Sequence, residues 1–248
     1  MMGKHSTELT FFLTAPHECN YIDNKEATSL FADPIYPKNK ELYSILVENG
    51  FRRSGEHLYR PHCASCSECV PVRIPVNEFS PRRHQRRNIK QNQDVSVTET
   101  QACFNEEHFL LYERYLAARH KNSGMDNPTE ENYRDFLWCD WSDTRLFEYR
   151  IDKKLIAVAV VDNLKNANSA VYTFFETEYA SRGLGKYAIL NMIETTKNEG
   201  KNWLYLGYWI ASCQKMSYKI EYQPIECFLD NQWKRFQQLS SSNFAVSQ

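Results

Sequence analysis

Three cysteines stand in seven residues, as Cys63-x-x-Cys66-x-x-Cys69, with His62 beside them and Cys19 upstream. Thiolates are soft ligands, and a two-residue spacing lets neighbouring sulfurs face one Zn²⁺ ion or iron–sulfur centre. With Cys19 the set reaches four. The other reading is four thiols that pack without metal. A second pattern is Arg182-Gly183-Leu184-Gly185-Lys186. A glycine turn between strand and helix is how backbone amides cradle an anion. The same glycines also suit any tight strand-to-helix turn.

Two further groups could meet a polyanion. Between Arg52 and Lys90 there are nine Lys or Arg against three acids, a local excess of six positive charges in a chain of net charge −1. Its densest part is Arg82, Arg83, Arg86 and Arg87. Such a patch binds a polyanion, or is simply a solvated arginine face. Near the C-terminus, Tyr205–Ile210 is followed by Lys215, Met216, Ser217, Tyr218 and Lys219. Aromatic faces stack on bases or apolar side chains, and lysines meet phosphates. The alternative is a sheet core beside an amphipathic helix. The other four cysteines, Cys103, Cys139, Cys213 and Cys227, are far apart and read as buried or half-buried thiols.

The elements that must position these residues follow from periodicity. Thr10–Leu13 reads as a strand. Asn39 can cap a helix bearing Leu42, Ile45 and Leu46, stopped by Gly50. Leu58–Arg60 and Val70–Val76 read as strands, Pro81–Asp94 as a polar segment, and Val95–Thr100 as an alternating strand. Asn105 opens a helix with Phe109, Tyr112 and Leu116. Asn127, Pro128 and Glu130 read as a capped helix start with proline first. Leu146–Ile151 and Leu155–Asp162 form a hairpin, and Ala170–Glu176 is a third strand. After the glycine turn comes a helix with Tyr187, Leu190 and Ile193, stopped at Gly200, and then the strand Trp203–Tyr208.

The chain has 248 residues, 42% hydrophobic and 25% charged, with 8 glycines and 9 prolines. Those values fit a globular protein and exclude a disordered or collagen-like one. A chain this long buries roughly 70–75% of its unfolded surface and needs no disulfide staples. It suits one large domain or two small ones, and a boundary near residue 100 divides it into 1–100 and 101–248. No apolar run approaches the ~20 residues of a membrane helix. The N-terminal residues do not read as a signal peptide. The only low-complexity tract is Ser240–Ser242. A cytoplasmic protein with no membrane partner is expected.

The glycine turn, set in its hairpin–strand–turn–helix–strand order, resembles the acetyl-coenzyme A loop R/Q-x-x-G-x-G/A of the Gcn5-related N-acetyltransferases. Gly183 and Gly185 fill the glycine positions, and Ala180 stands where Arg or Gln is expected. A longer resemblance covers about Cys19 to Trp233. Gly50–Cys63, Cys66, Cys69-Val70-Pro71, Arg73–Val76, the run Pro81–Arg87, Tyr205–Ile210, Lys215–Lys219, Pro224 and Glu226 look like the bacterial aspartate/glutamate leucyltransferases, which belong with the arginyl-tRNA–protein transferases.

The resemblance implies an α+β fold, with a cysteine-containing N-terminal domain and a C-terminal domain of Gcn5-related type, a mixed sheet flanked by helices. It implies transfer of leucine from leucyl-tRNA onto proteins beginning with Asp or Glu, which marks them for N-degron proteolysis. For the transfer it implies, Tyr172, Glu176 and Tyr208 are the catalytic candidates. Arg82, Arg83, Arg86, Arg87, Phe174, Gly183, Gly185, Lys186, Lys215, Tyr218 and Lys219 are the substrate-binding candidates. Within these, an arginine of the 82–87 run is expected to pair with the acceptor carboxylate while others of the run hold phosphates, Tyr172, Phe174 and Tyr208 to make a leucine pocket, and the glycine turn to hold the tRNA 3′ end. The transfer requires no cofactor. Eukaryotic relatives place a metal or iron–sulfur centre on N-terminal cysteines, so Cys19, Cys63, Cys66 and Cys69 imply a structural or regulatory Zn²⁺ or iron–sulfur centre, although Ile22 replaces the second member of those relatives' first cysteine pair. The alternatives are arginyl-tRNA as donor, a coenzyme A-dependent acetyltransferase, and a non-enzymatic zinc-bearing RNA-binding protein.

Overall fold

The computed structural model describes residues 8–119 and 128–236. The Ser240–Ser242 tract, the N-terminal seven residues and Asn127 lie outside them. The chain opens with β1 (Phe11–Leu13), β2 (His17–Glu18), β3 (Glu26–Ala27), β4 (Ser29–Ala32), α1 (Lys40–Glu48), β5 (Arg52–Ser54) and β6 (His57–Pro61). Four of these strands form a small sheet in the order β1-β4-β6-β5, and β2 pairs only with β3. Asn39 caps α1 as expected, its Oδ1 accepting from the Leu42 amide at 2.9 Å. Gly50, at φ +81°, turns the chain out of α1 and into β5.

Next come β7 (Val70–Pro75), α2 (Arg83–Gln91), β8 (Ser96–Gln101), α3 (Glu106–Arg119), α4 (Glu130–Leu137), β9 (Thr144–Ile151), β10 (Lys154–Asn163) and β11 (Ala167–Phe175). Then follow α5 (Leu184–Asn198), β12 (Trp203–Trp209), α6 (Gln214–Ser217), β13 (Glu226–Leu229) and β14 (Gln232–Arg235). Eight strands make one mixed sheet, β14-β13-β7-β12-β11-β10-β9-β8. Among the described residues only β11 and β12 pair in parallel, joined by the α5 crossover. This is the α+β arrangement, a mixed sheet flanked by helices, that the resemblance implied. The sheet runs across residue 100: β7 lies inside it, between β12 and β13, and β8 forms its edge.

Burial follows the strand alternation. In β10, Ala157, Ala159 and Val161 pack under α5 with Leu184, Ala188 and Met192. Leu155, Val158 and Val160 pack on the other face with Leu111, Leu116, Tyr133 and Phe174, under α3 and α4. A third cluster joins α1 and the small sheet to the large one through Tyr43, Leu46, Phe51, Leu58, Ala167 and Tyr205. Beside it lies a buried ion pair. Arg53 donates to Asp162 at 2.7 and 2.8 Å, and Tyr43 and Thr144 donate to the same carboxylate at 2.8 and 2.6 Å.

Local expectations need correction in three places. Pro81–Asp94 contains a helix, α2. The start of α4 is capped by Thr129, whose hydroxyl accepts from the Asn132 amide at 3.1 Å, so Glu130 is the first helical residue and Pro128 precedes the cap. Cys103 is exposed, whereas Cys139 and Cys227 are buried. Among the described residues no helix is long and apolar enough to cross a membrane.

Candidate active site

β11 and β12 pair over only three residues, Ala167–Ser169 with Trp203–Tyr205, and then part. The cause is visible in β12, where the register with β7 slips between Tyr205 and Gly207 and Gly207 takes φ +76°. Arg52 enters the gap from β5. Its Nη2 donates to the Ala170 and Val171 carbonyls at 3.0 and 3.4 Å, and its Nη1 to the Leu206 carbonyl at 3.4 Å. The guanidinium thus bridges the two strands where their own ladder ends. A Cβ on residue 207 would lie 1.3 Å from Arg52 Nη1, so only glycine fits.

Lys219 lies on the same part of β12. Its Nζ donates to the Tyr208 carbonyl at 2.6 Å and meets Met216 Sδ at 3.2 Å. Burial, and then the charge of Arg52, push its ammonium well below the usual lysine range. Among the described residues, neither Arg52 nor Lys219 reaches a carboxylate. Half-buried Tyr218 stands close to Arg52, and burial raises its hydroxyl pKa.

Beyond the splay, Glu176 follows the last residue of β11, Phe175. Arg114 of α3 donates to Glu176 Oε1 from Nε and Nη2, at 3.0 and 2.6 Å. A tight helical turn, Thr177–Arg182, leads to Gly183 at φ +62°, the N-cap of α5. The first amides of α5 have no partner within the helix and point outward. Asn88 and Asn92 of the α2 region hold the Arg182 carbonyl at 2.8 and 3.0 Å. A Cβ on Gly183 would come within 2.9 Å of Asn88 Nδ2, whereas one on Gly185 would meet Phe175 at an ordinary 3.6 Å. Gly183 is therefore required by geometry and Gly185 is not. Lys186 pairs with Glu221 at 3.3 Å, and Arg182 with Asp94 at 2.8 Å.

The packing of α2 against this turn sets its arginines beside the start of α5. Arg83, Arg86, Arg87 and Lys90 recur at the i, i+3, i+4, i+7 spacing, so they share one face, and all four are exposed. α2 carries no acidic residue. Arg82 precedes the helix, its amide donating to Gln85 Oε1 at 2.8 Å. Gln85 is the one buried side chain of α2.

The expected aromatic pocket is not one site. Phe174 is wholly enclosed between Tyr112 and Tyr133, with no surface left for a ligand. Tyr172 is in the same cluster; its hydroxyl is buried, finds no partner, and is pushed up by burial and by the neighbouring Tyr115 and Tyr112. Tyr208 belongs elsewhere, donating to the Gly50 and Tyr59 carbonyls at 3.1 and 3.3 Å. Lys215 is exposed on α6, while Lys219 turns inward.

Cys19, Cys63, Cys66 and Cys69 do converge. They line a cavity of about 160 Å³ with His17, Tyr21, Tyr59 and Tyr208. Cys63 and Cys66 form an isolated antiparallel bridge. Burial, then the three neighbouring thiols, push the Cys69 thiol up to about 12. All four are free thiols. Among the described residues no three His, Cys, Asp or Glu side chains are grouped so as to hold a metal ion. The quartet lines one cavity, but the described side chains do not close around a single point as a Zn²⁺ or iron–sulfur ligand set would.

Sequence reasoning gave no role to Arg52, Arg114 or Asn88. The usable signal was Gly207. A glycine inside a strand otherwise made of Trp, Leu and Tyr marks a place where another group approaches closely.

Comparison with known proteins supplies the remaining finding. A family model described as the C terminus of arginine-tRNA-protein transferase matches residues 107–229, and one described as its N terminus matches residues 17–87. The aspartate/glutamate leucyltransferase of Pseudomonas fluorescens Pf-5 is 48% identical over 225 residues, 91% of this chain and 96% of that one. That of Saccharophagus degradans is 46% identical over 230 residues, 92% and 98% of the two chains. Among solved structures, FemX aligns at a TM-score of 0.45 with 9% identity, over 81% of this chain and 79% of that one.

Proposed function

Because the chain belongs to the arginine-tRNA–protein transferase family, we propose that it moves leucine from leucyl-tRNA onto proteins beginning with Asp or Glu, and that the two substrates meet in the splay between β11 and β12. The observation that carries this is the near-full-length identity to aspartate/glutamate leucyltransferases. The product begins with leucine, a terminus that marks a protein for N-degron proteolysis. Leucyl-tRNA and the acceptor protein are both cytoplasmic reactants, and the enzyme works there.

The chemistry balances without a cofactor. The acceptor α-amine, with a pKa of about 8, is partly neutral at pH 7 and attacks the ester carbonyl. A C–N bond forms, the C–O bond to the terminal ribose breaks, and the amine proton ends on the ribose oxygen. Positioning and stabilisation of the tetrahedral oxyanion supply most of the acceleration. The Tyr172 hydroxyl stays protonated but is buried in the aromatic cluster, so Tyr172 shapes this end of the sheet and does not itself reach the oxyanion. Glu176, steadied by Arg114, is placed to relay the amine proton at the end of β11. The Tyr208 hydroxyl is spent on two carbonyls, which makes it a support for the strand.

For the donor, we assign the exposed stripe Arg83, Arg86, Arg87 and Lys90, with Arg82, Lys186 and Lys215, to tRNA phosphates. Gly183 and Gly185, at the first amides of α5, receive the 3′-terminal nucleotide. Phosphate neutralisation by solvated arginines is the usual source of affinity for a nucleic acid. No step runs through the thiol-lined cavity.

The test is a transfer assay with labelled leucyl-tRNA or arginyl-tRNA and peptides beginning with Asp, Glu, Lys or Ala. Leucine on the Asp and Glu peptides alone is expected. Arginine on the same peptides would overturn the donor, and transfer from neither would overturn the reading.

A further inference from the structure

We propose that Arg52 receives the side-chain carboxylate of the acceptor's N-terminal Asp or Glu, with Lys219 anchored behind it on β12. This rests on the aminoacyl-transfer reading above.

The charges around Arg52 are out of balance. Arg52 is half-buried and Lys219 is 5% exposed, and both are anchored on β12, at the carbonyls of Leu206 and Tyr208. Cations held away from water are normally paired, because an unpaired one costs free energy. Several other half-buried or buried arginines obey this: Arg53 has Asp162, Arg73 has Glu226, and Arg145 has Glu199, whereas Arg60 of β6 has only the Asn49 carbonyl and the Phe51 ring among the described residues. Among the described residues, Arg52 meets neutral carbonyls and, at 5.9 Å, the face of the Tyr208 ring, and no carboxylate. Of its five N–H donors, the three bonds to Leu206, Ala170 and Val171 occupy Nη1 and Nη2, and Nε has no partner among the described residues. A carboxylate is the ligand that a planar guanidinium takes best.

Position gives the second line of support. Arg52 lies where the only parallel strand pair of the sheet opens, one strand of which leads through Glu176 to the start of α5. An acceptor whose side chain is held here keeps its α-amine a few bonds away, within the splay. Gly207 preserves the space, since any side chain there would occupy the guanidinium's place. The arginines of α2 make a poor alternative reader. They are exposed, and a solvated arginine–carboxylate pair is worth roughly 0–1 kcal/mol, too little to separate Asp from Asn.

The experiment compares wild type, Arg52→Gln, Arg52→Lys and Lys219→Met on peptides beginning with Asp, Glu, Asn or Gln. It reads transfer kinetics, peptide affinity by anisotropy, leucyl-tRNA Kd and thermal midpoint. In Arg52→Gln the ratio of kcat/KM for Asp over Asn should fall at least 100-fold, with the change mainly in KM, while leucyl-tRNA Kd moves less than twofold. Arg52→Lys keeps the charge but loses the fork, and the ratio should fall about tenfold. Lys219→Met should lower it severalfold. Should Arg52→Gln not fold, the Lys variant decides. A folded Arg52 variant that keeps the Asp-over-Asn ratio overturns the proposal. Peptide binding separates it from the parent reading: wild type that binds Asp over Asn through Arg52, yet transfers no leucine, sinks the transfer reading and keeps this site. Loss of both sinks both.

Discussion

Replacing Gly207 by alanine tests whether the splay is built around Arg52. Two costs arise in the wild-type background. Alanine at φ +76° costs about 1–2 kcal/mol, because Cβ crowds the backbone in that region. Its Cβ would also fall 1.3 Å from Arg52 Nη1, so the guanidinium must leave. Leaving breaks bonds to three carbonyls, one at 3.0 Å and two at 3.4 Å. A hydrogen bond to a charged group is worth about 1.5–3 kcal/mol, and the two long ones less, so this second cost is about 2–3 kcal/mol. The total is about 3–5 kcal/mol. With Arg52 already replaced by alanine the second cost vanishes, and Gly207→Ala should then cost only about 1–2 kcal/mol. Urea denaturation of the four proteins of this cycle, compared at constant m-value, measures the difference. Equal costs in both backgrounds, within about 0.5 kcal/mol, would refute the claim that Gly207 exists to admit Arg52.

Other outcomes follow from the same geometry. Replacing Arg83, Arg86, Arg87 and Lys90 together by alanine should leave the urea midpoint nearly unmoved and weaken leucyl-tRNA binding. If each meets a phosphate, the slope of log K against log salt should shrink by about 3, read from filter binding across a salt series. Glu199 is partly buried, which alone would raise its pKa, yet hydrogen bonds from Arg145 and Lys201 hold it at about 2 against an ordinary 4.5. A depressed carboxylate adds stability above its unfolded pKa and loses it as pH falls through the folded one. The stability gap between wild type and Glu199→Gln should therefore be constant above pH 4.5 and close towards pH 2, in urea midpoints taken across that window. Asp162→Ala leaves Arg53 buried without its partner and should cost about 3–5 kcal/mol in the same melts.

Much of the large sheet was legible because its strands alternate cleanly. The expected hairpin of Leu146–Ile151 and Leu155–Asp162 is β9 and β10 extended by one or two residues at some ends. α2 was not legible, and the reason is physical. Its only apolar residue is Ile89, which is exposed, and the helix docks through Gln85, Asn88, Gln91 and Asn92, polar contacts that leave no hydrophobic period to read. That the large sheet crosses residue 100 was equally hidden. Local patterns cannot reveal that β7 inserts between β12 and β13, which are more than 120 positions later in the chain, as in the pairing of Trp203 with Pro75. At the site, the glycine turn and the thiol cluster were found from spacing alone. Arg52 was counted only as part of a positive patch, because its significance lies in what it fails to meet.

That significance is tied to its neighbour. Successive side chains of a strand point to opposite faces, so Arg52 and Arg53 of β5 look in opposite directions. Arg53 is fixed by two short bonds to Asp162 of β10, a carboxylate also held by Tyr43 and Thr144. With Arg53 fastened, Arg52 has little freedom except to enter the splay. A buried ion pair of this kind is weak evidence for stability by itself, because desolvation offsets much of its attraction. Its better-supported use is to specify one arrangement, here the register of the small sheet on the large one. If so, Asp162→Asn, which keeps the shape and removes the charge, should do more than lower the urea midpoint. It should loosen Arg52 and lower the Asp-over-Asn preference of a folded protein, with the loss in acceptor KM and leucyl-tRNA affinity intact. A folded Asp162→Asn protein with undiminished preference would show that Arg52 is held by the splay carbonyls alone, and that the ion pair next to it is scaffolding with no part in selecting the acceptor.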